Sequence, residues 1–240
     1  MTSNAPSSCC ITGVKHEGEP QGARGLYLIP PDRSTKRAVL LLTDVIGHRF
    51  INAQLIADQL SVNGFLVIMP DLFHGDPVQL NRPGAFDLMA WLKGPPGHLP
   101  DMVDLVVRDV IGEMRANMGC QRIGAVGYCI GAKYAVRFLR LGLCDAAYIA
   151  HPSFVEAEEL RRVGGPLSIS AAQVDSIFPA PKRHESEAIL STLGYPYQIN
   201  LLGGVEHGFA VRADISKPNL KFAKEHAFIQ AVSWLSEHIG

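Results

Sequence analysis

From residue 38 to the C-terminus, short continuous apolar runs alternate with longer stretches in which apolar positions recur every three or four residues. The runs "AVLLLTD" (38–44), "FLVIMPD" (65–71), "RIGAVGYC" (122–129), "AAYIAHP" (146–152), "PLSISAAQVD" (166–175) and "YQINLLGG" (197–204) have the length and composition of strands. Helical spacing fills the intervals at "NAQLIADQLSVNG" (52–64), residues 102–118, "AKYAVRFLRLG" (132–142), "VEAEELRRV" (155–163), "HESEAILSTLG" (184–194) and residues 217–238. Ahead of residue 38 the chain reads as a loose polar start followed by a short strand at "GLYLIP" (25–30).

Strands that are apolar throughout, rather than alternating, are covered on both faces, and helices between them make the sheet parallel. The pattern predicts a three-layer α/β/α sandwich with a mostly parallel sheet of seven to eight strands, in one domain spanning residues 1–240. Only residues 73–100 break it. Pro77, Pro83, Pro95, Pro96 and several glycines interrupt that stretch, leaving room for a short helix at "AFDLMAWL". The segment is expected to run as an excursion over one end of the sheet and to roof a pocket, with Trp91 and Phe86 inside it.

Composition narrows the partners. Twenty-two basic residues against 23 acidic give a formal net charge of -1, without the basic footprint of a nucleic-acid or anionic-membrane binder. A small-molecule substrate is expected instead, with the chain a monomer or homodimer. The five cysteines are odd in number, and Cys9 adjoins Cys10, which does not fit a disulfide-stapled secreted domain. No stretch reaches the roughly 18 apolar residues of a membrane span, and the N-terminus lacks a leader pattern. A cytoplasmic protein with reduced thiols is the expectation.

The chemistry concentrates at "GAVGYCIGAKYA" (124–135). Gly127, Cys129 and Gly131 form G-x-C-x-G at the junction of a strand and a helix, the cysteine form of a nucleophile elbow. Such a turn strains the nucleophile's backbone and brings strand and helix so close that its flanking positions must be glycine. Cys129 would sit at a helix N-terminus, which favours its thiolate, with the Ile130 N–H facing a developing oxyanion. The competing reading is a buried structural cysteine.

A thiol nucleophile needs a base, and the base an orienting acid. Asp175 follows the strand "LSISAAQV", and His207 follows "YQINLLGGVE"; nucleophile, acid and base thus occur in the order this architecture uses. His151 also ends a strand, but too early in that order. No second ligand pair stands near Cys9 and Cys10 at zinc-site spacing, His184 and Glu187 form too common a pattern, and no dinucleotide fingerprint is present. Neither metal nor cofactor is expected.

"GYCIGAKYA", "DSIFPAP", "EHGFAVR", "PDLFHGDP" and "LLTDVIGHR", in their order along the chain, resemble the dienelactone hydrolase family of the α/β-hydrolase fold. The opening "CCITGVKHEGEPQG" resembles its eukaryotic, particularly fungal, branch. The resemblance implies a Cys-Asp-His triad of Cys129, Asp175 and His207. It further implies that Asp44 touches the resting nucleophile and that the Val45 N–H completes the oxyanion hole with Ile130. Bacterial members carry glutamate at the place of Asp44. They also present two arginines to a substrate carboxylate, where this chain has His74 and Val211, leaving Arg212 and Arg82 as residues that could compensate. His48, His74, Arg82, Trp91, Phe209 and Arg212 are the pocket candidates, with Arg49 beside them.

The resulting expectation is hydrolysis of small esters or lactones through an acyl-enzyme. Acyl transfer or lactone formation in secondary metabolism would use the same intermediate, and a non-catalytic binding or redox-sensing homologue would keep the fold alone.

Overall fold

A computed structural model describes residues 1–22, 27–29, 36–140 and 142–240. The strands are β1 (Tyr27–Ile29), β2 (Arg37–Leu42), β3 (Leu66–Met69), β4 (Arg122–Tyr128), β5 (Ala146–Ala150), β6 (Leu167–Val174) and β7 (Tyr197–Glu206). The helices are α1 (Ile51–Val62), α2 (Leu88–Lys93), α3 (Pro100–Ala116), α4 (Ile130–Phe138), α5 (Ala157–Arg161), α6 (Ala180–Leu190), α7 (Phe209–Arg212) and α8 (Pro218–His238). Every strand and helix expected between residues 38 and 238 is present. The short helix α7 is an addition that four residues are too few to announce by periodicity. The ends of the "GLYLIP" run lie outside the described residues.

One sheet carries the strands in the order β1-β3-β2-β4-β5-β6-β7. Strands β2 to β7 are mutually parallel, and β1 pairs antiparallel with β3 at the edge. Ala38 to Leu42 of β2 have no exposed surface, as strands covered on both faces require. Two glycines of β4 show the layers directly. They lie three residues apart and so face opposite sides of the sheet: a Cβ on Gly124 would stand 2.5 Å from Leu235 of α8, and one on Gly127 would stand 2.7 Å from Ala132 of α4. Helices therefore cover both faces.

Strand order reverses between β2 and β4, so their carboxyl ends open a crevice. Asp44 follows β2, Cys129 follows β4, Asp175 follows β6 and His207 follows β7, all at this rim. Among the described residues, no helix is long and apolar enough to cross a membrane.

The expected loose start is not loose in residues 1–16. The Ser3 and Asn4 N–H groups donate to the carbonyls of Val155 and Ile177 (3.1 and 2.7 Å), and Phe154 N–H donates back to Asn4. Residues Ser8–Ile11 form a 3-10 turn whose Cys10 has no exposed surface. Beyond it, Val14 N–H donates to Arg212, and Asn52, itself fully buried, receives His16 N–H (2.7 Å) while donating to Val14 and Val211. Long-range hydrogen bonds replace the periodic packing that the segment lacks.

Candidate active site

The elbow after β4 is built by exclusion. A Cβ on Gly131 would lie 2.1 Å from the Leu42 carbonyl oxygen, and one on Gly127 would lie 2.6 Å from the Gly131 oxygen. Only hydrogen fits between β2, β4 and α4. Cys129, between these glycines, takes φ 53° and ψ -117°, a region that side chains rarely occupy. It caps α4 at the N-terminus, where unpaired N–H groups and the helix dipole favour a negative sulfur.

His207 stands at the end of β7. Its Nδ1 meets Asp175 Oδ2 at 2.9 Å, and Asp175 Oδ1 accepts from the N–H groups of Ile177 (2.8 Å) and Phe178 (3.0 Å), which fixes the carboxylate in its loop. The Nε2 of His207 thereby faces the sulfur atoms. Cys129 Sγ lies 3.3 Å from Cys10 Sγ and 3.4 Å from Ser153 Oγ, and Cys10 Sγ lies 3.6 Å from His207 Nε2. The reactive atoms of Cys10, Cys129 and His207 fall within 4.8 Å of one another, all buried.

Electrostatics favour an ion pair. Burial pushes the Cys129 thiol up, but the Cys10 hydrogen bond, the His207 charge and Arg212 together bring it well below 9. For His207, burial works against the charge, yet the Cys129 thiolate and Asp175 raise it to about 10. Cys10 moves the other way: burial and the neighbouring sulfur keep it protonated, as a donor. Its neighbour Cys9, half-buried, is lowered to about 6 by the adjacent Cys10 side chain, the His207 charge and the Ser7 hydroxyl, 3.2 Å away, against the effect of burial. His151 is held neutral by burial, its ring 5.0 Å from that of His207 and stacked on Tyr128.

Other expected contacts differ. Cys10 and Ser153 stand within hydrogen-bonding distance of the resting sulfur, whereas Asp44 is engaged by the Arg212 guanidinium and by Ile46 N–H (3.0 Å). Arg212 is 2% exposed and also donates to the carbonyls of Thr12 (3.1 Å) and Cys9 (3.3 Å). Its fork is spent on holding the N-terminal turn and Asp44, so it does not stand in for a carboxylate-binding arginine. Val45 is buried at the rim, and Ile130 opens α4, where the first N–H groups have no partner within the helix.

A cavity of about 610 Å³ opens beside His207, lined among others by Cys9, His207, Phe209, Arg212 and Lys217. Residues 73–100 do not line this cavity but reach the cover of the site: Val78 N–H donates to the Val45 carbonyl (2.9 Å) and Asn81 N–H to that of Ile11 (2.7 Å), beside the Ser8–Ile11 turn that lies over the thiol. Of the pocket candidates, only Phe209 and Arg212 border this cavity. Trp91 packs on Phe73 and His98 and donates to Asp76, Arg82 lies over Phe86, His48 sits 3.5 Å from Asp71, and His74 is exposed. Arg49 is exposed on the rim loop.

Sequence reasoning missed Cys10 and Ser153. The Cys9–Cys10 pair was visible, but its partners lie 119 and 197 residues away from Cys10.

Comparison with known proteins now adds a decisive observation: the sequence pattern of the dienelactone hydrolase family matches residues 24–239. The chain belongs to that family. Among relatives, a protein named Hydrolase pyvD from Aspergillus violaceofuscus is 50% identical, covering 100% of this chain and 99% of its own length. Dienlactone hydrolase 1 of Gibberella moniliformis is 32% identical over 95% of this chain and 92% of its own. Both relatives are fungal, in agreement with the branch that the opening cysteines suggest. A solved structure of a Klebsiella pneumoniae protein described as a dienelactone hydrolase shares the fold, with a TM-score of 0.68 at 16% identity, over 94% of this chain and 97% of that one.

Proposed function

We propose that this family member is a cysteine-dependent hydrolase of small esters or lactones, with Cys129 as nucleophile, His207 as acid and base, and Asp175 as orienter. The observation that carries the reading is the 2.9 Å Asp175–His207 contact, which turns Nε2 toward a sulfur presented on a strained elbow. In this mechanism the Cys129 thiolate attacks the substrate carbonyl, and the N–H groups of Ile130 and Val45 receive the oxyanion. His207 gives its proton to the departing alkoxide, leaving the acyl group on sulfur as a thioester. It then takes a proton from water, which attacks the thioester and restores the thiolate.

Two further points shape the substrate. Neither family position for a carboxylate-binding arginine holds one, and Arg212 is committed to Asp44, so esters and lactones without a carboxylate are favoured. Cys129 has no exposed surface, so the Ser8–Ile11 turn must yield before a carbonyl can reach it. The single unit of residues 1–240 and a reducing, cytoplasmic setting belong to the same proposal; all five thiols are free.

The test is hydrolysis of a short-chain aryl ester by the native chain and by Cys129→Ala. Loss of turnover on the order of 10⁴-fold or more is expected when a covalent nucleophile is removed. Equal rates from the two proteins would eliminate the mechanism.

A further inference from the structure

The hydrolytic cycle gives Cys10 no bond to make or break and no proton to transfer, although its sulfur is fully buried against both the nucleophile and the base. Tetrahedral zinc with bonds of about 2.3 Å to sulfur and about 2.0–2.1 Å to nitrogen requires ligand atoms about 3.5–3.8 Å apart. Cys10 Sγ and His207 Nε2 already stand at 3.6 Å, and the two sulfurs at 3.3 Å need only a small opening. The outer partner is in place as well. His207 offers Nε2 while Nδ1 is held by Asp175, the carboxylate–histidine arrangement that orients a metal ligand.

Charge points the same way. Two thiolates and a divalent ion sum to zero, which suits a site where each ligand is buried. Thiolates with one imidazole select thiophilic ions of the zinc type over magnesium or calcium. Ser153 Oγ, 3.4 Å from Cys129 Sγ, is the oxygen nearest at hand for the fourth position. The sequence expectation of no metal considered only ligands close in the chain; here a 3-10 turn, an elbow and a strand end supply one ligand each.

We infer that Cys10, Cys129 and His207 form a three-ligand zinc site, and that bound zinc silences the enzyme by occupying its nucleophile and base together. Binding displaces two protons, one from the Cys10 thiol and one shared by Cys129 and His207, and both pass to solvent. The silencing half rests on the proposed catalytic roles; the binding half does not.

The experiment uses the reduced full-length chain, titrated with Co²⁺ as a spectroscopic probe and then with Zn²⁺. Expected are one equivalent of cobalt with a thiolate-to-metal charge-transfer band and the visible bands of a four-coordinate ion, displaced by zinc. Aryl-ester hydrolysis should fall with the same equivalent and return with chelator. Cys10→Ala should weaken zinc binding about 100-fold or more, beyond what outer-sphere changes produce, whereas Cys9→Ala should leave the charge-transfer band in place. A native chain without that band, or Cys10→Ala with undiminished affinity, overturns the site; the native spectrum decides this even if the variant fails to fold. Zinc-stimulated hydrolysis overturns the silencing. A cobalt band on a protein that hydrolyses no ester would keep the site and sink the hydrolase reading instead.

Discussion

The elbow around Cys129 and the N-terminal segment above it meet at one sulfur-to-sulfur contact, but they are specified in opposite ways. At the elbow, each constraint comes from the immediate chain: glycines two residues either side, a strand before and a helix after. The turn Ser8–Ile11 has no such local logic and is held by bonds from residues far along the chain, Asn81 to Ile11 and Arg212 to Cys9, while Ser3 and Asn4 ahead of it are tied to Val155 and Ile177. The reactive geometry depends on both, because one supplies Cys129 and the other Cys10. A local motif can therefore place a nucleophile, while a distant, irregular segment decides what surrounds it.

Arg212 is where the long-range half of that comparison breaks most easily. Its guanidinium links the N-terminal turn to Asp44, and both side chains are about 1% exposed. Arg212→Leu strands a carboxylate in the core, an effect of about 3–5 kcal/mol for a buried pair losing one member. Urea unfolding at neutral pH should show it, and the double variant with Asp44→Asn should recover part of the loss. A change below about 1 kcal/mol, the range of exposed pairs, would mean that the bridge does not hold the segment.

The local half answers to a smaller substitution. Gly131→Ala forces a methyl group to within 2.1 Å of the Leu42 oxygen, a backbone atom that cannot rotate away, and should cost about 2–3 kcal/mol. Gly112→Ala in α3, where a Cβ meets nothing within 4 Å, should instead stabilise by about 0.5–1 kcal/mol through helix propensity. Opposite shifts in the urea midpoint would sharpen the contrast between an elbow glycine and an ordinary helical one. Equal shifts would remove the steric account of the elbow.

These cases also mark how far the sequence could be read. Strands β2 to β6 and their helices were legible because burial on both faces leaves apolar runs, the edge strand β7 was legible from its composition although only Val205 of it is buried, and Cys129, Asp175 and His207 could be picked out because each follows a strand. Cys10, Ser153 and the Asp44–Arg212 bridge were not. Their contacts join segments whose relative position depends on the whole sheet. The excursion at residues 73–100 was announced by its prolines and glycines, but its partners were not: Asn81 meets Ile11 and Gly13, and Val78 meets Val45.

The ionisation of the Cys129–His207 pair tests the meeting point of the two regions, with the smallest effect. Unfolded, the histidine titrates near 6.5 and the thiol near 9; folded, His207 is raised to about 10 and Cys129 is lowered well below 9. Between pH 6.5 and 9 the unfolded chain holds one proton on sulfur and the folded chain holds one on nitrogen, so this pair leaves stability flat. Above 9 the unfolded thiol loses its proton while His207 keeps its own, and stability falls by about 1.4 kcal/mol per pH unit until His207 titrates near 10. Below 6.5 the unfolded histidine gains a proton that the folded pair does not take up, so stability also falls with falling pH, until Cys129 itself is protonated. The check is ultraviolet thiolate absorbance of the native chain minus that of Cys129→Ala, which should persist unchanged from pH 9 down to 6.5. A difference that vanishes below pH 9 would mean a neutral pair, and a Cys10 thiol that does not stabilise the charge beside it.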